Sequence, residues 1–140
     1  MGLPVVGAWL SFPLAYYVFG MLLMALCPWC LEYYLGSVPG LRIPGPATVL
    51  AVQLLRGGLF LVVTWPVIAT WSGTRLSLAV KLGLAYTVLV GLFGLVQAPW
   101  MPFNMRVAHG LEIMADSFAH AALLVVLLVP PRAGREGANR

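Results

Sequence analysis

The sequence predicts an all-α integral membrane bundle of four transmembrane helices, and three observations predict it. Hydrophobic residues make up 61% of the chain and charged ones only 9%, against roughly 25% charged in an ordinary soluble domain. Such a chain has too little polar surface to cover a water-soluble core, and it is far too apolar for disorder. The 140 residues also carry four long apolar stretches separated by turn formers. Four spans of about 22 residues use about 88 of them, which leaves only loops and a tail. Finally, most of the eight Lys and Arg sit at loops and ends, a membrane pattern and not a nucleic-acid surface. The lipid bilayer is the expected partner, with another membrane protein or a second copy of the chain beside it.

The first apolar region covers residues 3–35. No Lys or Arg precedes Arg42, so the positive n-region of a cleavable signal is missing. The region is longer than one straight span needs. Its helix lies near Leu3–Met24 or near Leu14–Leu35, with Pro13 and Pro28 as ends or kinks. Gly36 to Pro46 (GSVPGLRIPGP) is dense in turn formers and reads as a loop. The second span, residues 47–70, is unusual in carrying Gln53 and Arg56, with Pro66 near its far end. Trp71 to Arg75 turns the chain into a third span over residues 76–97, whose Gly83, Gly91 and Gly94 suit close helix contact. Ala98 to Asn104 forms the next loop, and Asn104 is the expected N-cap of the fourth span, residues 105–129. Pro130 and Pro131 end it, and residues 130–140 form a polar tail. Arg75, Lys81, Arg132, Arg135 and Arg140 fall on one side of the membrane, Arg42 and Arg106 on the other. That bias puts both termini in the cytoplasm, in a plasma (inner) membrane.

The richest chemistry lies between Arg106 and Leu124. At 100° per residue, Arg106, His109, Glu112, Asp116 and His120 share an arc of about 120° on one helix face. Asp116 falls near mid-bilayer, about 15 Å beyond Arg106. An ionisable group at that depth costs several kcal/mol unless it is paired or hydrated, so it faces protein or water. The second and fourth spans enter from the same side, and Arg56 matches Glu112 and Asp116 in depth. An intramembrane pair of Arg56 with one of them is therefore expected, either as a simple helix lock or as part of a site. Two histidines eleven residues apart on one helix cannot both reach one small ion. Either of them with a neighbouring acid suits a metal or a proton relay, and more often simple packing. The sequence assigns neither a metal nor a cofactor.

Cys27-Pro28-Trp29-Cys30 is the other loaded segment. Its spacing suits thiol–disulfide exchange as well as inert packing. In this it resembles membrane thiol oxidases of the vitamin K epoxide reductase type, small helical bundles that relay electrons between two cysteine pairs. This chain has one pair, which is too little for membership. Met21, Met24, Cys27 and Cys30 recur every third residue, with Met101, Met105 and Met114 near the same end. That sulfur ladder suits a soft ion or ordinary core filling. Trp9, Trp71, Trp100, Tyr33 and Tyr34 read as interfacial anchors. The leading expectation is an accessory or scaffold subunit with an intramembrane polar site. The alternatives are a thiol or quinone-linked redox protein, and a proton or soft-metal relay along the fourth helix.

Overall fold

The computed structural model describes residues 2–36 and 44–131, all of it helix and short connections with no strand among those residues. Four helices are long and apolar enough to cross a membrane: α1 (Leu3–Leu26), α3 (Pro46–Thr70), α4 (Arg75–Val96) and α5 (Phe103–Leu128). A short helix, α2 (Pro28–Gly36), follows α1. Leu55, Val62, Val63, Leu89 and Val126 are all more than half exposed on the outer faces. Water would not tolerate such a surface, and lipid suits it. Arg42 and Arg132 to Arg140, which carry most of the charge bias, lie outside the described residues, as do the loop tip and nearly all of the tail.

The register of the first helix is resolved by its prolines. Pro13 sits inside α1, whereas Pro28 opens α2 after a break at Cys27, whose backbone leaves the helical region (φ −130, ψ 67). The apolar run over 3–35 is therefore one span and a separate short helix. Pro13 also has a packing consequence. It lacks the N–H that would bond the Trp9 carbonyl one turn back, and Gly57 of α3 comes up against that freed oxygen. A Cβ on Gly57 would lie 2.7 Å from it. The Trp9 indole then donates to the Leu54 carbonyl at 2.7 Å, so this residue clamps α3 and is no mere interfacial anchor.

The same logic of small residues seats α4 on α5. Gly83 lies against the Phe118 ring and Gly91 against Ile113, at distances where no side chain fits, while Gly94 meets nothing. Between them the helix widens to a π-type turn over Tyr86–Leu92, a local change of register often found beside functional sites. At the start of α4, Thr74 caps the helix by accepting from the Ser77 N–H. Arg75 donates to the Val125 and Val126 carbonyls at the end of α5; Val125 also accepts from the Val129 N–H, whereas the residue four on from Val126 is Pro130, which has no N–H to give. Helix α5 begins at Phe103 with Pro102 as its cap, so Asn104 lies inside the first turn and does not cap it.

α1 and α5 form the central pair, with α3 packed on α1 and α4 on α5. One apolar cluster, with Ala8, Leu61, Ile68, Leu78, Leu82, Leu124 and Val125, fills the half of the bundle near the α3–α4 turn. A second, with Leu23, Cys30, Ala98, Met101 and Met105, lies at the opposite end under α2.

Candidate functional site: an intramembrane polar cavity

Because α3 leans on α1 and α4 on α5, the space between α3 and α4 is not filled by backbone contact. A cavity of about 870 Å³ lies there, within the roughly 300–1,000 Å³ usual for small-molecule sites. Its walls are mainly apolar and aromatic, from Met21, Met24, Val49, Val52, Phe12, Phe60 and Leu95. Into it come Arg56 from α3 and His109, Glu112, Asp116 and His120 from α5. The helical arc read from the sequence is thus one wall of a cavity. Arg106, in the first turn of α5, is not among its lining residues, and its buried Nε meets no hydrogen-bonding partner.

The expected ion pair of Arg56 with Glu112 or Asp116 is not formed. The Arg56 guanidinium instead lies over two aromatic rings, 5.3 Å from the Phe12 centroid and 6.0 Å from that of Phe60. Among the described residues no Arg or Lys pairs with an acid, and the one histidine–carboxylate contact is His109 with Glu112. The reason is that α3 packs on α1, and the cavity separates its arginine from the acids of α5. What Arg56 gains is the attraction of a cation for aromatic faces, about 0.5–2 kcal/mol depending on desolvation.

At the end of the cavity nearest α2, three side chains form a chain of hydrogen bonds. His109 Nδ1 donates to Glu112 Oε2 at 2.8 Å, and His109 Nε2 lies 2.8 Å from the Tyr34 hydroxyl. With Nδ1–H committed to the carboxylate, the neutral ring accepts the Tyr34 proton at Nε2. Burial, followed by the nearby Cys30 and Glu112, pushes the Tyr34 phenol upward, so it stays a hydroxyl donor. The Tyr34 ring belongs to this polar chain as well as to the surface, and no interfacial-anchor reading anticipates that.

The inner end is built differently. Ser11 Oγ donates to the Ala8 carbonyl at 2.7 Å and lies 2.7 Å from His120 Nδ1. A hydroxyl has one proton, so Nδ1–H of His120 must donate to Ser11, and that hydrogen-bond network assigns the tautomer. His120 is fully buried, with the rings of Phe12 and Tyr86 at 5.3 and 5.4 Å. Its Nε2, the Tyr86 hydroxyl and Gln53 Oε1 are all buried without a hydrogen-bonding partner, and all three residues line the cavity. Thr64 stands beside Tyr86; its own proton goes to the Phe60 carbonyl at 2.6 Å, so its oxygen is the acceptor at hand for the Tyr86 O–H. Asp116 is also buried, with Ser117 Oγ donating to its Oδ1 at 3.3 Å.

The cysteines stand apart from this cavity. Both are free, and neither lines it. Cys30 is fully buried with Met101 and Met105, and Met24 and Cys27 pack against the same cluster, while Met114 lies exposed elsewhere. Burial, then the neighbouring Cys27 and Glu112, pushes the Cys30 thiol up, the opposite of what activates a nucleophilic cysteine. Among the described residues no three His, Cys, Asp or Glu side chains gather as metal ligands. Residues the sequence did not single out for the site, Ser11, Tyr16, Tyr86 and Ser117, carry a faint signal: a hydroxyl inside an otherwise apolar span needs a partner. No protein-family model, curated protein or solved structure matches the chain.

Proposed function

We propose that the protein binds a membrane-soluble small molecule in the cavity between α3 and α4, acting as a carrier, sensor or presenting subunit in the plasma (inner) membrane with both termini cytoplasmic. The observation that carries this is a ligand-sized apolar cavity whose few polar groups, Arg56, His109, Glu112, Asp116 and His120, converge on one space. An accessory subunit remains the natural setting for a chain of this size. A stripe that merely locked helices together, however, would be consumed in interhelical pairs, and Arg56 and Asp116 form none. A relay across the membrane is supported less well. Beyond His120 the path toward the α3–α4 turn is the apolar cluster of Leu78, Leu124 and Val125. Redox chemistry at Cys27 and Cys30 is likewise less favoured, given a buried, unactivated thiol.

Photolabelling tests the proposal. The full-length protein in liposomes is irradiated with an alkyl diazirine, and the labelled positions are mapped by mass spectrometry. Binding in the cavity predicts adducts on residues such as Phe12, Val49 and Ile113, and Val49→Trp, which fills the space, should remove most of them. Adducts confined to lipid-facing residues such as Leu55 and Val63, unchanged by Val49→Trp, would contradict it.

A further inference from the structure

Three charged side chains enter the cavity and do not pair. Among its described lining residues Arg56 is the one cation, and Glu112 and Asp116 are the two acids. None of the three is in an Arg–carboxylate contact. We propose that Arg56 on one wall, and Glu112 with Asp116 on the other, form a divided site for a zwitterionic head group, a phosphate joined to a primary ammonium. The apolar chains of such a molecule lie in the rest of the cavity and in the bilayer. This rests on the cavity-binding reading and adds to it the chemistry and orientation of the head group.

The first support is that both walls keep open hydrogen-bonding capacity. Arg56 is half-buried, and Phe12 and Phe60 hold its guanidinium over their rings. Rings supply no oxygen for its N–H donors, whereas a phosphate matches that planar fork bidentately. On α5, His109 takes only Oε2 of Glu112, at 2.8 Å, and Ser117 takes only Oδ1 of Asp116, at 3.3 Å. Gly20 of α1 has no side chain to cover the other Glu112 oxygen, Oε1, since a Cβ there would lie 3.2 Å from it. Asp116 is only 7% exposed and lines the cavity. A buried acid therefore faces this space with no cation beside it, one helical turn from Glu112.

The second support is proximity. Tyr16 of α1 is within electrostatic reach of Arg56, Glu112 and Asp116 at once, and Asp116 is within reach of Arg56 and Glu112. The opposite charges share one space and are held apart by it, as a molecule carrying both signs requires. A simple anion on Arg56 would have two acids opposite it. A simple cation on the acids would leave the guanidinium unanswered. A zwitterion meets both walls. The ammonium is primary because the free carboxylate oxygens call for N–H donors, and the faces of Phe12 and Phe60 already hold Arg56. The cavity reaches from Pro44 and Thr48, at the start of α3, inward to His120. With α3 packed on α1 and α4 on α5, the side between α3 and α4 is where lipid chains pass into the bilayer.

The test extends the photolabelling experiment by competition, with the full-length protein in maltoside micelles so that no host lipid fills the cavity. The alkyl diazirine is displaced by dioctanoyl phosphatidylethanolamine, phosphatidylcholine, phosphatidylglycerol or diacylglycerol, and by dodecylamine or free phosphoethanolamine. Phosphatidylethanolamine should act at about tenfold lower concentration than phosphatidylcholine or phosphatidylglycerol, which keep the phosphate and lack the ammonium donors. Asp116→Asn and Glu112→Gln should each remove most of that advantage. Both keep an acceptor for Ser117 or His109, so either serves should the other fail to fold. Arg56→Gln should weaken all three phospholipids about tenfold and leave diacylglycerol unchanged. Free phosphoethanolamine competing as well as the phospholipid assigns the head group to a soluble solute, and competition by the lipid alone assigns it to a phospholipid. Equal competition by all four dioctanoyl lipids, stronger competition by dodecylamine than by phosphatidylethanolamine, or an undiminished advantage in both acid variants overturns the divided site while leaving cavity binding intact. Failure of the alkyl diazirine to label the cavity overturns both.

Discussion

The two halves of the bundle are built from the same helices and behave as opposites. Toward the α3–α4 turn, all four spans contribute to a solid apolar cluster around Leu78 and Leu124, both fully buried. Toward α2, the same α3 and α4 no longer fill the space between them, and α5 turns its polar arc into the gap. The boundary is a single turn of α5: Asp116 and His120 line the cavity, whereas Ala121 and Leu124 belong to the solid cluster. The larger apolar cluster thus lies in one half, and the polar chemistry lies in the other, beside the smaller cluster of Leu23, Cys30 and Met105 under α2. An intramembrane site can keep unpaired polar atoms only when packing elsewhere holds the helices in place.

Substitutions can break this division, beginning with the largest effect. Leu124→Ala, in the solid half, should cost about 2–5 kcal/mol, seen as a lowered unfolding midpoint in detergent. A loss below 1 kcal/mol would mean that half is not the structural anchor. Gly57→Ala forces a methyl against the Trp9 carbonyl and should cost about 1–3 kcal/mol, with the Trp9 indole fluorescence shifting as its bond to Leu54 loosens. Ser11→Ala strands the His120 Nδ1–H, at a cost of about 1–3 kcal/mol by the same unfolding assay.

In the cavity half, Asp116→Asn should cost less than about 1 kcal/mol, because it keeps the acceptor for Ser117 and breaks no ion pair. Breaking a buried ion pair would cost about 3–5 kcal/mol instead, so a loss of that size would restore the Arg56 pairing. Alkylation by iodoacetamide gives the smallest and subtlest effect. The partly exposed Cys27 should react first, and Cys30 should become reactive only as the pH climbs beyond the ordinary thiol value of 9.0, since burial favours its neutral form. Rapid reaction of Cys30 at pH 7 would revive a redox role for the pair.

Much of this architecture is legible in the amino-acid order. Composition and the spacing of apolar runs suffice for four spans, and the 3.6-residue period of α5 places His109, Glu112, Asp116 and His120 on one face before any coordinates are known. Gly83 and Gly91 likewise announce close contact. What the order does not contain is which helices are neighbours. Equal depth made Arg56 look like the partner of Glu112 and Asp116, yet depth is one coordinate and pairing needs three. The packing of α3 on α1, fixed by Pro13, Gly57 and Trp9, turns that arginine toward Phe12 and Phe60. Tyr34 is hidden for a related reason: its link to His109 joins residues 75 apart in sequence. The break at Cys27 that swings α2 over the cavity depends on one backbone conformation, and Pro28 only hints at it.

The division between a solid half and an open half is tested most directly by two cysteines on one face of α5. In a Cys27→Ser, Cys30→Ala background, Ser117→Cys probes the cavity and Val125→Cys probes the solid cluster two turns further on, at sites that are both buried. Each protein is reconstituted in liposomes and treated with a membrane-soluble maleimide, with and without excess decanol. Ser117→Cys should label readily and be protected by decanol, while Val125→Cys stays unlabelled under both conditions. Equal labelling of the two, or a Ser117→Cys thiol as inert as that of Val125→Cys, would show that α3 and α4 close the space and that no ligand cavity exists.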